Sequence, residues 1–505
     1  MNKRKEPSSL ESEANDKLCT MIRDVAIKWT RKLRSAVVKG RQHWLLEMKI
    51  VQEECAQLRG FLATLPVPGV LDIIVAQSVE NLIKVLSSFN NFRVVPRLNT
   101  SYDRELNRNI CINMLKSVLL PCLYTCNIRN VDSAFVQEII VNLLYLNPKV
   151  IDLQLSVICD KYCLQLLLER IPSLIDLQGF QLRLTCTNAI VIKLSEYCTK
   201  LTKLFVEDCA FVDDDSVEHL LKLANLVNLN VANTSISNEG YITLLSRLPL
   251  VQNIIWYDDL DIVLTYVARC LLSVRKIIGS ISNSSLVAPI CPNVKHVILL
   301  SISNDISGLK ELKSVNAISF FQCSSTVINL RAAITDMGST LTRVDMHQVV
   351  NIDIDNLIYF CPVLKLLIIA YSQMTGSEHN FFDRELPHFK SVREIRLKQN
   401  WGAYDFCSLL HLYINLEICY VVGMDRVDDV FVGRLLTFGG FKHVTEFVID
   451  NGGYLSMPTV QLIMKNCLNL TVLGNFRSWS GLTENDLNEF LQFVRSNNLA
   501  LTINL

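Results

Sequence analysis

The chain has 505 residues, of which half are hydrophobic and 19% are charged, so its composition is that of a folded protein. Its 49 basic and 49 acidic residues balance, which argues against nucleic acid or an anionic membrane as its partner. The polar N-terminal segment lacks the apolar stretch of a secretory signal, and no apolar run is long enough to span a bilayer. We therefore expect no membrane partner and a protein of the cytoplasm or the nucleus.

The first 118 residues are predicted to be helical, in two parts. Residues 1–60 form a basic region, with thirteen Lys and Arg against eight Asp and Glu. Its first helix is expected to start at a cap, Asn15 or Asp16, and to end at Gly40. Residues 61–118 are predicted to form a helical cap on the domain that follows.

A proline pattern marks the start of that second part. Pro68 suits the first turn of an apolar helix, where a missing N–H costs nothing. The Leu65-Pro66 pair ahead of it weakly resembles the opening of an F-box. The Val-Cys…Trp pattern that closes an F-box does not follow, so we interpret the segment as a degenerate F-box-like segment or a simple cap.

From residue 119 to residue 505 a strand-like segment and a helix-like segment alternate. Each strand-like segment carries apolar residues at positions 1 and 4 and nearly always at position 6, and segments start about 25 residues apart. The aligned segments start at residues 150, 174, 201, 226, 251, 274, 294, 315, 341, 364, 392, 416, 444 and 470. An irregular first segment at residue 120 and a final strand, "ALTINL", complete the series. This spacing predicts a leucine-rich-repeat solenoid of about 14–15 repeats, because one repeat cannot bury its apolar face alone.

The stretch "CTKLTKLFVEDCAFVDDDSVEHLLK" (198–222) tests whether the cysteines are metal ligands or core residues. Cysteine recurs three residues before the strand in four repeats, where other repeats carry Ile, Leu or Phe, so we predict a core position. The three aspartates from Asp213 to Asp215 precede a helix and are predicted to cap it. The four cysteines at this recurring position are Cys198, Cys291, Cys361 and Cys467.

A zinc site is the alternative for two further cysteine pairs, Cys122 with Cys126 and Cys159 with Cys163. Their three-residue spacing is longer than the usual knuckle, so we predict reduced core thiols and no metal or cofactor. The seventeen cysteines are likewise an odd number for a disulfide framework.

The same stretch resembles the cysteine-containing, ribonuclease-inhibitor-like class of leucine-rich repeats. The residues that carry the resemblance are Cys198, Leu201, Leu204, Val206, Cys209, Val212 and Asp214. The resemblance implies an α/β solenoid, or horseshoe, with parallel strands on the concave face and helices outside. It also implies an interaction protein, of the kind that serves as the substrate-recognition subunit of cullin-RING ubiquitin ligases.

Function is expected on the concave strand face, at positions 3, 5 and 7 of each repeat, where side chains point away from the core. Mixed aromatic and charged residues there suit a protein ligand rather than a nucleic acid. The candidate ligand-binding residues are Lys203, Phe205, Glu207, Asn230, Tyr257, Phe321, Arg343, His347, Arg396, Tyr420 and Phe476.

Three functions stay open on the sequence. The first is a non-enzymatic scaffold that binds a protein on the concave face and a cullin adaptor at residues 1–118, as a ligase substrate receptor. The second is a stand-alone inhibitor or regulator of one protein target. The third, an enzyme, would need a pocket of titratable side chains with perturbed pKa values, because no catalytic motif is present.

Overall fold

A computed structural model describes most of the chain, as two compact units. One unit comprises Pro7–Val251, here the N-terminal unit, and the other runs from Gln252 onward, here the C-terminal unit. The described residues are 7–64, 68–91, 101–120, 123–129, 134–155, 157–158, 160–267, 269–374, 389–398, 413–423, 428–437, 441–451 and 453–504. The Leu65-Pro66 pair, Cys122 and Cys159 lie outside them. Within these ranges no helix is long and apolar enough to cross a membrane.

Four long helices open the N-terminal unit: α1 (Pro7–Lys39), α2 (Arg41–Ala63), α3 (Pro68–Asn91) and α4 (Ser101–Val118). The first helix begins at Pro7, ahead of the predicted cap. It ends as predicted at Gly40, whose φ of 111° favours glycine. Helix α1 packs on α2 and α3, and the indole N–H of Trp29 donates to Glu54 at 2.6 Å across the α1–α2 contact.

The repeats of the N-terminal unit build a five-stranded parallel sheet. Its strands are β1 (Thr125–Ile128), β2 (Asp152–Leu155), β3 (Gly179–Leu182), β4 (Lys203–Phe205) and β5 (Asn228–Asn230). The return segments contain α5 (Ala134–Leu143), α6 (Lys161–Arg170), α7 (Asn188–Tyr197), α8 (Val217–Leu220) and α9 (Asn238–Arg247).

Strand register corrects two of the predicted repeat starts. Gly179 pairs with Asp152 and with Lys203, which are position 3 of their repeats, so this repeat starts at residue 177 and not at 174. The first repeat likewise starts at residue 123 and not at 120, because Thr125 pairs with Asp152. Gly179 is therefore at position 3 of its repeat.

The C-terminal unit contains an eleven-stranded sheet in which every pairing is parallel and joins sequential neighbours. Its strands are β6 (Asn253–Asp259), β7 (Lys276–Ser280), β8 (His296–Leu300), β9 (Ala317–Ser324), β10 (Arg343–Val350), β11 (Leu366–Ala370), β12 (Glu394–Lys398), β13 (Ile418–Val422), β14 (Glu446–Asp450), β15 (Val472–Gly474) and β16 (Thr502–Ile503). The helices that the structure describes in this unit are α10 (Leu260–Tyr266), α11 (Val287–Ile290), α12 (Leu330–Met337), α13 (Ile354–Phe360), α14 (Asp429–Thr437), α15 (Met457–Asn466) and α16 (Glu484–Ser496). Short 3-10 turns complete several return segments.

The repeat positions form the core that the sequence predicts. In the repeat at residue 201, the side chains of Leu201, Leu204 and Val206 are fully buried. Parallel strands in sequential order, joined by helices or 3-10 turns in the return segments that the structure describes, are the architecture of an α/β leucine-rich-repeat solenoid. The predicted fold class is confirmed.

The cysteines of the 198–222 stretch are core residues as predicted, and of the three aspartates Asp213 is the predicted cap. Cys198 and Cys209 are fully buried, and the other three cysteines of the recurring position are buried as well. The Asp213 carboxylate accepts the N–H of Asp215 and caps the 3-10 turn that leads into α8. Asp214 accepts the N–H of Ser237 at 2.9 Å, so it ties this repeat to the next one.

Candidate protein-binding surface

The strand face is the set of side chains at positions 3, 5 and 7 of the repeats, on the side of each sheet that faces away from the repeat core. Strand alternation places them there, because successive side chains of a strand point to opposite faces. Each of the two units has a strand face of its own. The candidate residues differ widely in how much of each side chain remains available for a ligand.

On the N-terminal unit the candidate residues mostly bind one another. The Lys203 ammonium lies 4.9 Å from the centre of the Phe205 ring, two residues further along the strand. Glu207 forms an ion pair with Arg183 of the preceding repeat at 2.6 Å. The Asn230 side chain is 6% exposed and donates to Glu207.

Asn230 is therefore a structural residue, which corrects its prediction as a ligand contact. Its side-chain oxygen accepts the backbone N–H of Ala232 at 3.1 Å and its amide nitrogen donates to Glu207. A buried amide with both groups satisfied has little left to offer a partner. Its role is to join two successive repeats at the ends of their strands.

On the C-terminal unit a polar cluster crosses four neighbouring strands. It consists of Lys276 on β7, His296 on β8, Ser319 on β9, and Arg343 with Asp345 on β10. The Ser319 hydroxyl donates to Asp345 at 2.9 Å and lies 3.1 Å from Nε2 of His296. Arg343 donates to both oxygens of Asp345 from Nε, at 3.0 Å each, and to one from Nη2 at 2.8 Å.

The order of these hydrogen bonds is opposite to that of a nucleophilic triad. In a triad the serine donates to the imidazole, and the carboxylate holds the other imidazole nitrogen. Here the Ser319 hydroxyl donates its hydrogen bond to Asp345. The Ser319 oxygen therefore accepts a hydrogen bond from the imidazole, and Nε2 of His296 carries the hydrogen. Ser319 is also buried, and the carboxylate that accepts its hydrogen bond is a weak base already paired with Arg343. The cluster orients side chains and has no activated nucleophile.

The cluster perturbs its own titratable groups through burial and like charge. Burial lowers the pKa of His296 to about 4, and the nearby charges of Lys276 and Arg343 act in the same direction while Asp345 opposes them. Burial also lowers the pKa of Lys276, with a further contribution from Arg343. The pKa of Arg343 is raised, chiefly by its hydrogen bonds to Asp345. The imidazole is therefore neutral between two cations.

A stacked aromatic pair adjoins the cluster. The ring of Phe321 lies parallel to the imidazole of His347, with centroids 4.4 Å apart and planes 4° apart. Both side chains are half-buried, and burial lowers the pKa of His347. A neutral imidazole stacked on a phenyl ring gives a flat, mainly apolar contact surface.

Three of the remaining candidates of this unit, Tyr257, Arg396 and Tyr420, are exposed. Tyr257 at β6 and Tyr420 at β13 are 38% and 37% exposed. Arg396 is paired with Glu394 on its own strand at 2.5 Å. Between these candidates the face carries half-buried aliphatic residues, which are Ile278, Ile298, Leu300, Leu366, Ile368, Ile418, Val422 and Val472.

Phe476 is not a surface residue, and its prediction as a ligand contact is wrong. It is 2% exposed and lies in the 3-10 turn Phe476–Ser478. Its ring packs edge-on against Trp479 and Phe490, with centroid distances of 4.9 Å and 5.8 Å. Strand β15 stops at Gly474, so the alternation that would have turned residue 476 outward has already ended.

Sequence reasoning missed three members of the cluster, Lys276, His296 and Ser319. All three occupy outward positions of their repeats, at position 3 or position 5, so the same rule includes them. Across the described ranges no three His, Cys, Asp or Glu side chains are grouped to hold a metal ion. Cys126 and Cys163 are buried free thiols.

Comparisons with known proteins concern the fold alone. Neither a protein-family model nor a curated protein matches the sequence. Similar solved structures include a leucine-rich-repeat protein of Leptospira interrogans (11% identity, 70% of this chain and 91% of that chain, TM-score 0.33) and the Rad7–Elc1 complex of yeast (15%, 83% and 96%, 0.41). A third is the functional domain of InlJ from Listeria monocytogenes (11%, 67% and 70%, 0.29). At these scores the fold assignment rests on the chain's own register and burial.

Proposed function

We propose that the chain is a non-enzymatic scaffold that binds a protein partner on the strand face of its C-terminal unit. The observation that carries the proposal is the row of half-buried aliphatic side chains on that face, which includes Ile278 and Ile298 on adjacent strands. An apolar centre bordered by aromatic and charged side chains is the composition of a protein-binding surface. A nucleic-acid face would carry a stripe of Lys and Arg instead.

The hydrogen-bond order of the polar cluster supports a binding role over catalysis. Ser319 donates to Asp345 rather than to His296, and a pKa of about 4 makes that imidazole a poor general base near neutral pH. What the cluster offers instead is a set of fixed donors and charges. Such groups confer specificity on an otherwise apolar docking surface.

A matched pair of substitutions in the full-length chain tests the docking surface. Ile298→Asp places a charge on the strand face of β8, whereas Ile262→Asp places one on α10, where Ile262 is already exposed. Affinity purification followed by mass spectrometry should recover the same proteins with the wild type and Ile262→Asp, and lose them with Ile298→Asp. Equal circular dichroism and thermal unfolding would show that both variants fold. An unchanged set of proteins with Ile298→Asp would refute the proposal.

A ubiquitin-ligase receptor role is the first of two forms that this scaffold could take, and it requires a second docking surface for a cullin adaptor. Apolar side chains exposed at the junction of α1 and α2 favour such a surface: Val38 is 88% exposed and Leu46 58% exposed, with Leu45 beside them. Leu46→Asp should then remove the cullin adaptor from the purified material and keep the strand-face partners. Met21→Asp, at another exposed position of α1, is the control.

The second form is a stand-alone inhibitor or regulator of one protein target. It is the form that remains if the full-length chain retains strand-face partners but no cullin adaptor. For either form we propose a cytoplasmic or nuclear location. The fourteen cysteines of the described ranges are all free thiols, which suits a reducing compartment.

A further inference from the structure

The partner's chemistry can be inferred from the row of position-3 side chains on four adjacent strands of the C-terminal unit. Register aligns Lys276 with His296, His296 with Ala317, and Ala317 with Arg343. The row therefore has a cation at each end, an imidazole beside one cation, and a methyl group beside the other. Only β9 contributes no polar group to the row, because its residue at this position is Ala317.

We infer that this row binds an acidic side chain of the partner protein, held between Lys276 and Arg343. The inference rests on the proposed function and adds the chemical class of residue that the strand face recognises. A carboxylate would accept hydrogen bonds from the ammonium at one end and the guanidinium at the other. Charge-assisted bonds of this kind are the stronger ones at interfaces.

Lys276 supplies the unsatisfied charge. It is half-buried, and no carboxylate in the described part of the chain forms an ion pair with it. The charged group that acts on it most is the like-charged Arg343. A half-buried cation beside another cation is unfavourable until an anion joins them.

Arg343 retains a donor for a second acceptor. Its Nε and Nη2 donate to Asp345, while a guanidinium has five N–H donors in a planar fork. The N–H groups of Nη1 are thus available to a ligand. Its orientation is fixed in advance by Asp345, which is itself held by Ser319, so little side-chain entropy would be lost on binding.

The charge count favours a carboxylate over a phosphate. With His296 neutral, the two cations and Asp345 leave a net charge of about plus one in the cluster. One carboxylate neutralises this charge, whereas a phosphate dianion would exceed it and face Asp345. The adjoining apolar side chains of Ile278 and Ile298 suit a neighbouring apolar residue of the same partner. The expected element is an Asp or Glu next to an aliphatic or aromatic side chain.

A displayed random-peptide library, selected on the immobilised full-length chain, tests this inference even though the partner is unidentified. Strand-face peptides are defined as those that bind the wild type and not Ile298→Asp. We expect them to be enriched in an Asp or Glu next to an apolar residue. For one such peptide, Lys276→Gln in the protein or Asn for Asp in the peptide should each weaken binding roughly tenfold. The two changes together should cost no more than either alone, because they remove the same contact.

Lys310→Gln is the matched control, since Lys310 is an exposed lysine of a 3-10 turn in the same unit, and it should leave peptide affinity unchanged. Strand-face peptides without an acidic residue, or acidic peptides indifferent to Lys276→Gln, would overturn the inference and leave the proposed function standing. Inorganic phosphate that binds more tightly than the acidic peptide would overturn the choice of a carboxylate. If no peptide distinguishes the wild type from Ile298→Asp, the proposed function itself fails.

Discussion

The low pKa of His296 predicts a specific loss of stability in mild acid. The imidazole titrates near 6.5 in the unfolded chain and at about 4 in the folded one. As the pH falls below 6.5, His296 binds a proton in the unfolded chain but stays neutral in the folded chain. The contribution of His296 to the free energy of unfolding is therefore fully present above pH 6.5 and is lost progressively toward pH 4.

The magnitude follows from the two pKa values. A difference of one pKa unit corresponds to about 1.4 kcal/mol, so the difference between 6.5 and about 4 corresponds to about 3 kcal/mol if fully realised. His296 is only partly buried, and solvent screening should reduce this to about 1.5–2 kcal/mol. The groups that face the imidazole are Lys276 on β7, Ser319 on β9, and Arg343 with Asp345 on β10.

Hydrogen exchange of the β8 amides is the appropriate assay, because a repeat chain of this length need not unfold in one step. The protection of these amides from exchange, corrected for intrinsic rates, is to be compared at pH 7 and pH 4.5 in the wild type and in His296→Gln. The wild type should lose about 1.5 kcal/mol more protection than the variant on acidification. Equal losses in the two proteins would refute the reasoning. His347 has a lowered pKa too and is retained in both, so its contribution cancels.

Three further predictions use other features of the fold. Asp345→Ala leaves Arg343 without its carboxylate and should cost about 2 kcal/mol of local stability, with a smaller added cost when Arg343→Ala is combined with it, measured by a double-mutant cycle on hydrogen-exchange protection. Trp479→Ala removes a buried indole that donates to the carbonyl of Ile449 at 2.8 Å, and should cost about 3–5 kcal/mol by the same measurement. Brief alkylation of the native protein should label the exposed Cys270 and spare the buried thiols, whereas the urea-unfolded chain should be labelled throughout, as read by peptide mass spectrometry. The spared thiols include Cys198, Cys291, Cys361 and Cys467, the pKa of each being raised by burial to about 12.

The repeat fold could be predicted from sequence because its signal is repeated. One apolar triplet is weak evidence, but the same triplet at about 25-residue spacing through most of the chain is a constraint that only stacked coils satisfy. The predicted repeat start at residue 174 was wrong, because "LIDLQG" and "LQGFQL" overlap there and both begin with leucine. The 3-10 turn Ile171–Ser173 places Leu174 in the core before the strand begins, so the true first position is Leu177.

The sequence predicts which side chains of the site point outward, because strand alternation determines this, but it predicts nothing more about the site. Alternation correctly turns Arg343 and His347 outward, because it depends on neighbours along one strand. It fails at Phe476, where the strand ends early at Gly474 and the ring enters the core. It also says nothing about hydrogen bonds between repeats, such as the one between Ser319 and Asp345, which are 26 residues apart in the chain.

The side chains of the neighbouring repeats thus determine whether an outward residue is available to a partner. Glu207 and Lys276 are both charged residues at outward positions. Glu207 meets Arg183 on one side and Asn230 on the other, so its charge is used within the fold. Lys276 has His296 beside it and Arg343 beyond, neither of which can accept its charge. A carboxylate at position 3 of either neighbouring strand would have made Lys276 a structural residue too, and its absence there leaves the charge for a partner to neutralise.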